Sequence, residues 1–146
     1  VWQEIRTLVE RSEKYISTGK ITLDNAVPAG VEVFADPLIE KVFSNLIENA
    51  LRYGETITTI TFSLKQDAEM YTLLCEDDGT GISADEKEKI FTYAHGMNTG
   101  LGLFLAREIL AITGISIRET GTPGSGARFE ILCPAETIRA PGRQTE

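Results

Sequence analysis

"EDDGTGISADE" (residues 76–86) follows a β-rich run, "YTLLCE", and leads into "ADEKEKIF", whose pattern predicts a short helix over 84–91. Two glycines behind an acidic couple at a strand end let the backbone turn tightly and approach a ligand with no Cβ in the way. The stretch is formally G-x-G-x-x-A (Gly79, Gly81, Ala84), the dinucleotide fingerprint. Its context excludes that reading. A dinucleotide fold places the glycines after the first strand of a βαβ unit, with an acidic residue ending the next strand about 20 residues on. Here that place is Thr99, inside a second glycine cluster, and no strand-like run intervenes.

By the period-two rule, Tyr71, Leu73, Cys75 and Asp77 share one face of the preceding strand, so Asp77 emerges beside apolar side chains. A carboxylate there can accept a hydrogen bond from an exocyclic amino group, which adenine carries. Upstream, Asp36-Pro37 is a helix start, with Asp as N-cap and Pro in the first turn. Leu38, Ile39, Val42, Phe43, Leu46, Ile47, Ala50 and Leu51 then recur at helical spacing and predict a core-facing stripe. Opposite it lie Asn45, Asn49 and Arg52, with Tyr53 closing the helix. Asparagine is a poor helix former, so two of them on one half-buried face ask for a reason. A carboxamide oxygen can ligate a hard cation and a guanidinium can reach phosphate, which together suggest a Mg²⁺-nucleotide site. The second cluster, "NTGLGL" (98–103), stands at the mouth of the predicted helix "LGLFLAREILAIT". The free N–H groups and positive dipole end of such a mouth attract anions.

Around these motifs the sequence predicts strands at "KITLDN", "VEVFAD", "ETITTITFSLK", "EMYTLLCEDD", "GISIRETG" and "ARFEILCP". The opening "VWQEIRTLVERSEKYIS" aligns Ile5, Leu8, Val9, Ser12, Tyr15 and Ile16 on a helical face that must pack on something, such as an upstream element. The chain begins at Val1 without methionine and is read as a piece of something longer, and "AETIRAPGRQTE" reads as a frayed tail. With 146 residues, 42% of them hydrophobic, the chain suits one compact domain. No apolar run approaches the roughly 18 residues of a membrane span. A net charge of −8 argues against a nucleic-acid partner. It is compatible with polyphosphate held through Mg²⁺, backbone amides and one or two local cations. Cys75 and Cys133 read as buried free thiols.

Taken in order, "NLIENALRY", "DDGTGI", "KIF" and "TGLGL" resemble the N, G1, F and G2 boxes of sensor histidine kinases, members of the gyrase-type ATPase superfamily with the Bergerat nucleotide fold. The resemblance runs from "ITLDN" to "FEILCP". It implies a two-layer α/β sandwich, a mixed sheet with helices on one face, over residues 20–134. Residues 1–19 would be the trailing end of a preceding helical hairpin or linker, and 135–146 a flexible tail. By motif position, Asp77 would bind the adenine amino group with Gly79, Gly81 and Ile82 beside it, and Asn49 would hold Mg²⁺. Asn45, Arg52 and Tyr53 would line the phosphate and ribose side, and Thr99, Gly100, Leu101, Gly102 and Leu103 would wrap the phosphates of ATP.

The sequence departs from the family in two places. "IFTYA" puts Thr92 and Ala94 where the F box has Glu and Phe, and the eight residues between Phe91 and Gly100 contain no Arg or Lys. Arg52 is then the expected cation at the phosphates. The resemblance further implies transfer of the γ-phosphate to a histidine on upstream dimerisation helices, with a response regulator downstream. It implies a homodimeric parent, itself membrane-attached or not, and a cytoplasmic, monomeric fragment. His95, the one histidine, sits in the loop between the boxes and is not the expected acceptor. In the related ATPases a Glu four residues before the metal-binding Asn positions water. That place here is Asn45, which cannot take a proton, while Glu48 lies about 100° around the helix from Asn49. A nucleotide-sensing module without catalysis and an anti-sigma-type serine kinase are the alternative readings.

Overall fold

The computed structural model describes residues 1–16, 20–53, 56–67, 69–92 and 102–141, without the side chain of Tyr53. Its main sheet has five strands in the order β2-β4-β5-β7-β6: β2 (Thr22–Asn25), β4 (Thr59–Gln66), β5 (Met70–Asp77), β6 (Ser116–Glu119) and β7 (Arg128–Pro134). β2 runs parallel to β4 and the remaining pairs are antiparallel, so the sheet is mixed as expected. Period-two alternation turns Ile60, Phe62, Tyr71, Leu73, Cys75, Phe129, Ile131 and Cys133 into one buried layer. Burial raises the pKa of both thiols, that of Cys133 to about 12.

Three helices share the core with that layer: α1 (Ile5–Ser12), α2 (Ile39–Tyr53) and α3 (Gly102–Ala111). Asp36 starts α2 as anticipated, its Oδ1 accepting the Leu38 N–H at 2.8 Å and its carbonyl the Ile39 N–H at 2.9 Å. Ile39, Val42, Phe43, Leu46, Ile47 and Ala50 are buried, and the Phe43 ring lies 5.7 Å from that of Phe62 on β4. Leu38, expected in the stripe, is exposed; it stands in the capping turn between Asp36 and Ile39, the first residue of α2.

Three further expectations are corrected. The stripe of α1 finds its cover within this chain, since Ile5, Leu8 and Val9 belong to the common core, while Tyr15 is exposed. Residues 84–91 form two 3₁₀ turns, Ala84–Glu86 and Lys89–Phe91, in place of one helix. Residues 135–141 are ordered rather than frayed. After a 3₁₀ turn, β8 (Ile138–Arg139) pairs with β3 (Glu32–Phe34), which pairs with β1 (Trp2–Glu4) in a second, three-stranded sheet. Arg139 fixes this sheet, stacking 4.1 Å from the Trp2 ring centre and reaching Glu32 at 2.7 Å.

Candidate functional site

The last residue of β5 is Asp77, and the chain leaving it builds a pocket wall. Asp77 Oδ1 accepts the Gly79 N–H at 2.9 Å and the Ala127 N–H at 3.2 Å, the latter from the start of β7. The Asp77 N–H returns to the Ala127 carbonyl at 3.0 Å. Two backbone donors thus lock one carboxylate oxygen, while Oδ2 meets no donor among the described residues. Asp78, its neighbour, does different work. It is exposed and clamps the start of β4, accepting from the Thr58 hydroxyl, the Thr58 N–H (2.8 Å) and the Thr59 N–H (3.1 Å). The Thr58 hydroxyl and then its amide hold the Asp78 carboxyl below the ordinary carboxylate range.

Gly81 requires glycine twice over. Its φ is +78°, and a Cβ there would stand 2.9 Å from the Gly126 carbonyl oxygen and 3.1 Å from that of Thr122. The turn between β6 and β7 is therefore pressed against the turn after β5, and the Gly124 N–H donates to the Thr80 carbonyl at 2.7 Å. In front of this double turn lies a cavity of about 250 Å³ lined by Asn49, Thr80, Gly81, Ile82, Ser83, Glu86 and Ile90. It joins the middle of α2 to the segment leaving β5. Mixed apolar walls with a few fixed polar groups are what a small planar ligand needs.

The predicted residues distribute as follows. Asn49, Gly81 and Ile82 line the cavity, while Asp77 and Gly79, at the end of β5 and just after it, are not among its lining residues. Asn45 is half-buried and its Nδ2 donates to the Gly102 carbonyl at 2.8 Å, so it ties α2 to the first residue of α3. Arg52 is exposed on the last turn of α2, and the Leu103 side chain is buried in the core. Thr99, Gly100, Leu101, His95 and the Tyr53 side chain lie outside the described residues. Sequence reasoning missed the roles of Gly126, read only as the end of a "TPGSG" turn, and of Ala127, read only as the first residue of the strand "ARFEILCP". The one available signal was Gly126 itself, since nothing local pairs Ala127 with a residue fifty positions earlier.

Residues 35–137 match the family described as histidine kinase-, DNA gyrase B-, and HSP90-like ATPase. The chain belongs to that family. Within this ATPase family it is similar to the alginate biosynthesis sensor protein KinB of Pseudomonas aeruginosa, 35% identical over 66% of this chain and 17% of the relative. Among solved structures, the ATPase fold matches a mycobacterial sensor histidine kinase, MprB, with a TM-score of 0.79 at 19% identity over 92% of this chain and 96% of that one. It also matches full-length ShkA in complex with AMPPNP, with a TM-score of 0.76 at 21% identity over 92% of this chain and 30% of that one. The chain spans between 17% and 35% of the length of the first three curated relatives it matches. These relatives are sensor proteins and sensor histidine kinases, and this ATPase-family chain is a catalytic ATP-binding domain of that kind. No helix among the described residues is long and apolar enough to cross a membrane.

Proposed function

We propose that this domain binds Mg-ATP in the cleft between α2 and the segment after β5, and delivers the γ-phosphate to a histidine on the dimerisation helices of a parent sensor kinase. The observation that carries the reading is Asp77, with one carboxylate oxygen held by two backbone amides and the other left to accept, behind a cavity lined by Asn49. In this reading Oδ2 accepts the adenine amino group, Gly79 to Ile82 pass close to the base, and Asn49 faces the phosphate side. Arg52 and Tyr53 serve the phosphate and ribose side. Asn45 contributes by holding the start of α3 through Gly102, and Thr99, Gly100, Leu101, Gly102 and Leu103 serve the phosphates.

The Asn49 carboxamide fits a hard cation, and Mg²⁺ bound there would offset negative charge on the phosphate oxygens. The chain's own part is positioning and electrostatic stabilisation, the usual demand of phosphoryl transfer. Asn45 lacks a basic oxygen for activating water, and Glu48 is exposed. The arrangement therefore favours an external nucleophile over hydrolysis. A response regulator, a homodimeric parent and a cytoplasmic location complete the proposal. The relatives' being sensor kinases leaves the nucleotide-sensing and serine-kinase alternatives unfavoured.

Nucleotide titration with and without Mg²⁺, followed by γ-phosphate transfer to added sensor-kinase acceptor helices, tests this. The isolated domain should bind ATP and ADP, turn over ATP barely, and label the helices only on their histidine. Rapid steady hydrolysis by the pure chain would contradict the role given to Asn45. Asn49→Ala should abolish the Mg²⁺ enhancement of ATP binding while leaving most of the affinity in chelator, because alanine offers no oxygen ligand. Asn49→Asp keeps an oxygen but sets a negative charge beside the phosphates. If Asn49→Ala retains the full enhancement, the metal's protein ligand lies elsewhere.

A further inference from the structure

We propose that Lys87 and Glu119 are positioning residues for the base end of the cleft: their buried ion pair fastens the cavity wall to the turn that holds Asp77. The inference rests on the cleft being a nucleotide site and adds two residues that are not themselves among those lining the cavity.

Glu119 ends β6 on its core-facing side, with its side chain wholly buried, and Lys87 is only 24% exposed. A carboxylate in that position is costly unless its oxygens find donors. Glu119 meets the condition with three. Oε2 accepts the Gly121 N–H and the Arg128 N–H, each at 3.0 Å, and Oε1 accepts from the Lys87 ammonium. Lys87 donates again, to the Gly121 carbonyl at 2.8 Å. One carboxylate therefore binds both legs of the β6–β7 turn, and one ammonium ties that turn to the segment carrying Glu86 and Ile90 of the cavity wall.

A second anchor lands on the same rung of the sheet. Glu119 and Phe129 are register partners, and the Phe91 ring packs edge-on to Phe129 with centres 6.1 Å apart. The wall is thus fixed at both Lys87 and Phe91, on the two strands flanking the turn. That turn in turn holds the strand end behind the cavity through Ala127 on Asp77 and Gly124 on Thr80. A buried ion pair is weak evidence for net stability, since packed apolar side chains of similar volume often do as well. Its directional bonds do something that apolar packing does not. They set the register of the wall against the turn, and so the placing of Glu86 and Ile90 across the cavity from Thr80 and Gly81, which follow Asp77 in the chain.

The test compares the parent with Lys87→Met and Lys87→Arg for binding of adenosine, ADP and ATP, in Mg²⁺ and in chelator. Lys87→Met, which keeps the apolar stem, should bind all three roughly tenfold more weakly, a usual size for coupling between linked sites. Lys87→Arg, which restores the cation and its donors, should stay within about twofold of the parent. The ratio of Mg²⁺ to chelator affinities should not move, because the effect falls on the base end. Val9→Ala, a truncation of a buried core residue of α1, controls for lowered stability and should leave adenosine affinity unchanged. Adenosine binding by Lys87→Met equal to the parent's, or an equal loss in Val9→Ala, would overturn the proposal. If Lys87→Met does not fold, Lys87→Gln, which keeps an N–H donor and drops the charge, is judged by the same two comparisons. A parent chain that binds none of the three ligands would defeat the nucleotide reading itself, a result separate from any difference among variants.

Discussion

Gly126→Ala should lower the melting temperature of the domain by about 10 °C and remove most of its ATP affinity. Gly126 has a φ of +110°, and a Cβ built there would overlap the Asp77 carbonyl oxygen. The backbone strain costs on the order of 1–3 kcal/mol, and relieving the overlap by shifting backbone costs roughly as much again. A total near 3 kcal/mol corresponds to about 10 °C in a domain of this size. Binding should fall with stability because the next residue, Ala127, is one of the two amides that aim the Asp77 carboxylate. Gly124→Ala is the internal comparison. Gly124 also has a positive φ, +89°, but a Cβ there meets nothing within 4 Å, so only the strain remains. Thermal unfolding and ATP titration of both variants decide the matter. If Gly126→Ala is no worse than Gly124→Ala, the turn is not pressed against the end of β5.

Asp77→Asn should weaken ATP by roughly ten- to a hundredfold, the equivalent of about 1.5–3 kcal/mol for a hydrogen bond to a charged acceptor. The amides of Gly79 and Ala127 already fix the orientation of the side chain by bonding Oδ1. In the variant they would hold the carboxamide oxygen in the same place, which leaves the NH₂ group where Oδ2 had been. A donor then faces the amino group of adenine, and an acceptor is gone. Guanine presents a carbonyl at that position, so GTP binding should hold steady or improve as ATP binding falls. Parallel ATP and GTP titrations measure the inversion. Equal ATP affinity in parent and variant would remove Asp77 from the site.

Much of this was legible locally. The alternation in "YTLLCE" predicts the buried face of β5 and places Asp77 at its end, and the Asp36-Pro37 start and apolar spacing predict α2. The glycine at 81 advertises a backbone that no side chain permits. These are properties of chain segments a few residues long, where period, capping and φ preference act without reference to the rest of the molecule. The errors share a cause. Residues 84–91 carry helix formers yet settle as two 3₁₀ turns, since Lys87 and Phe91 are held by Glu119 and Phe129 from another part of the chain. "TIRA" looks like tail until β3 offers it a strand to pair with.

By itself, then, the sequence determined α2, α3 and the strands of the main sheet, which face of each is apolar, and which short motifs are candidates for a nucleotide site. Only the tertiary structure decided what surrounds Asp77. Its two amide partners, the turn behind it and the ion pair that fastens the wall all depend on β5, β6 and β7 lying side by side in one register. That register is set by burying side chains from strands some fifty residues apart, and no short window of sequence contains it.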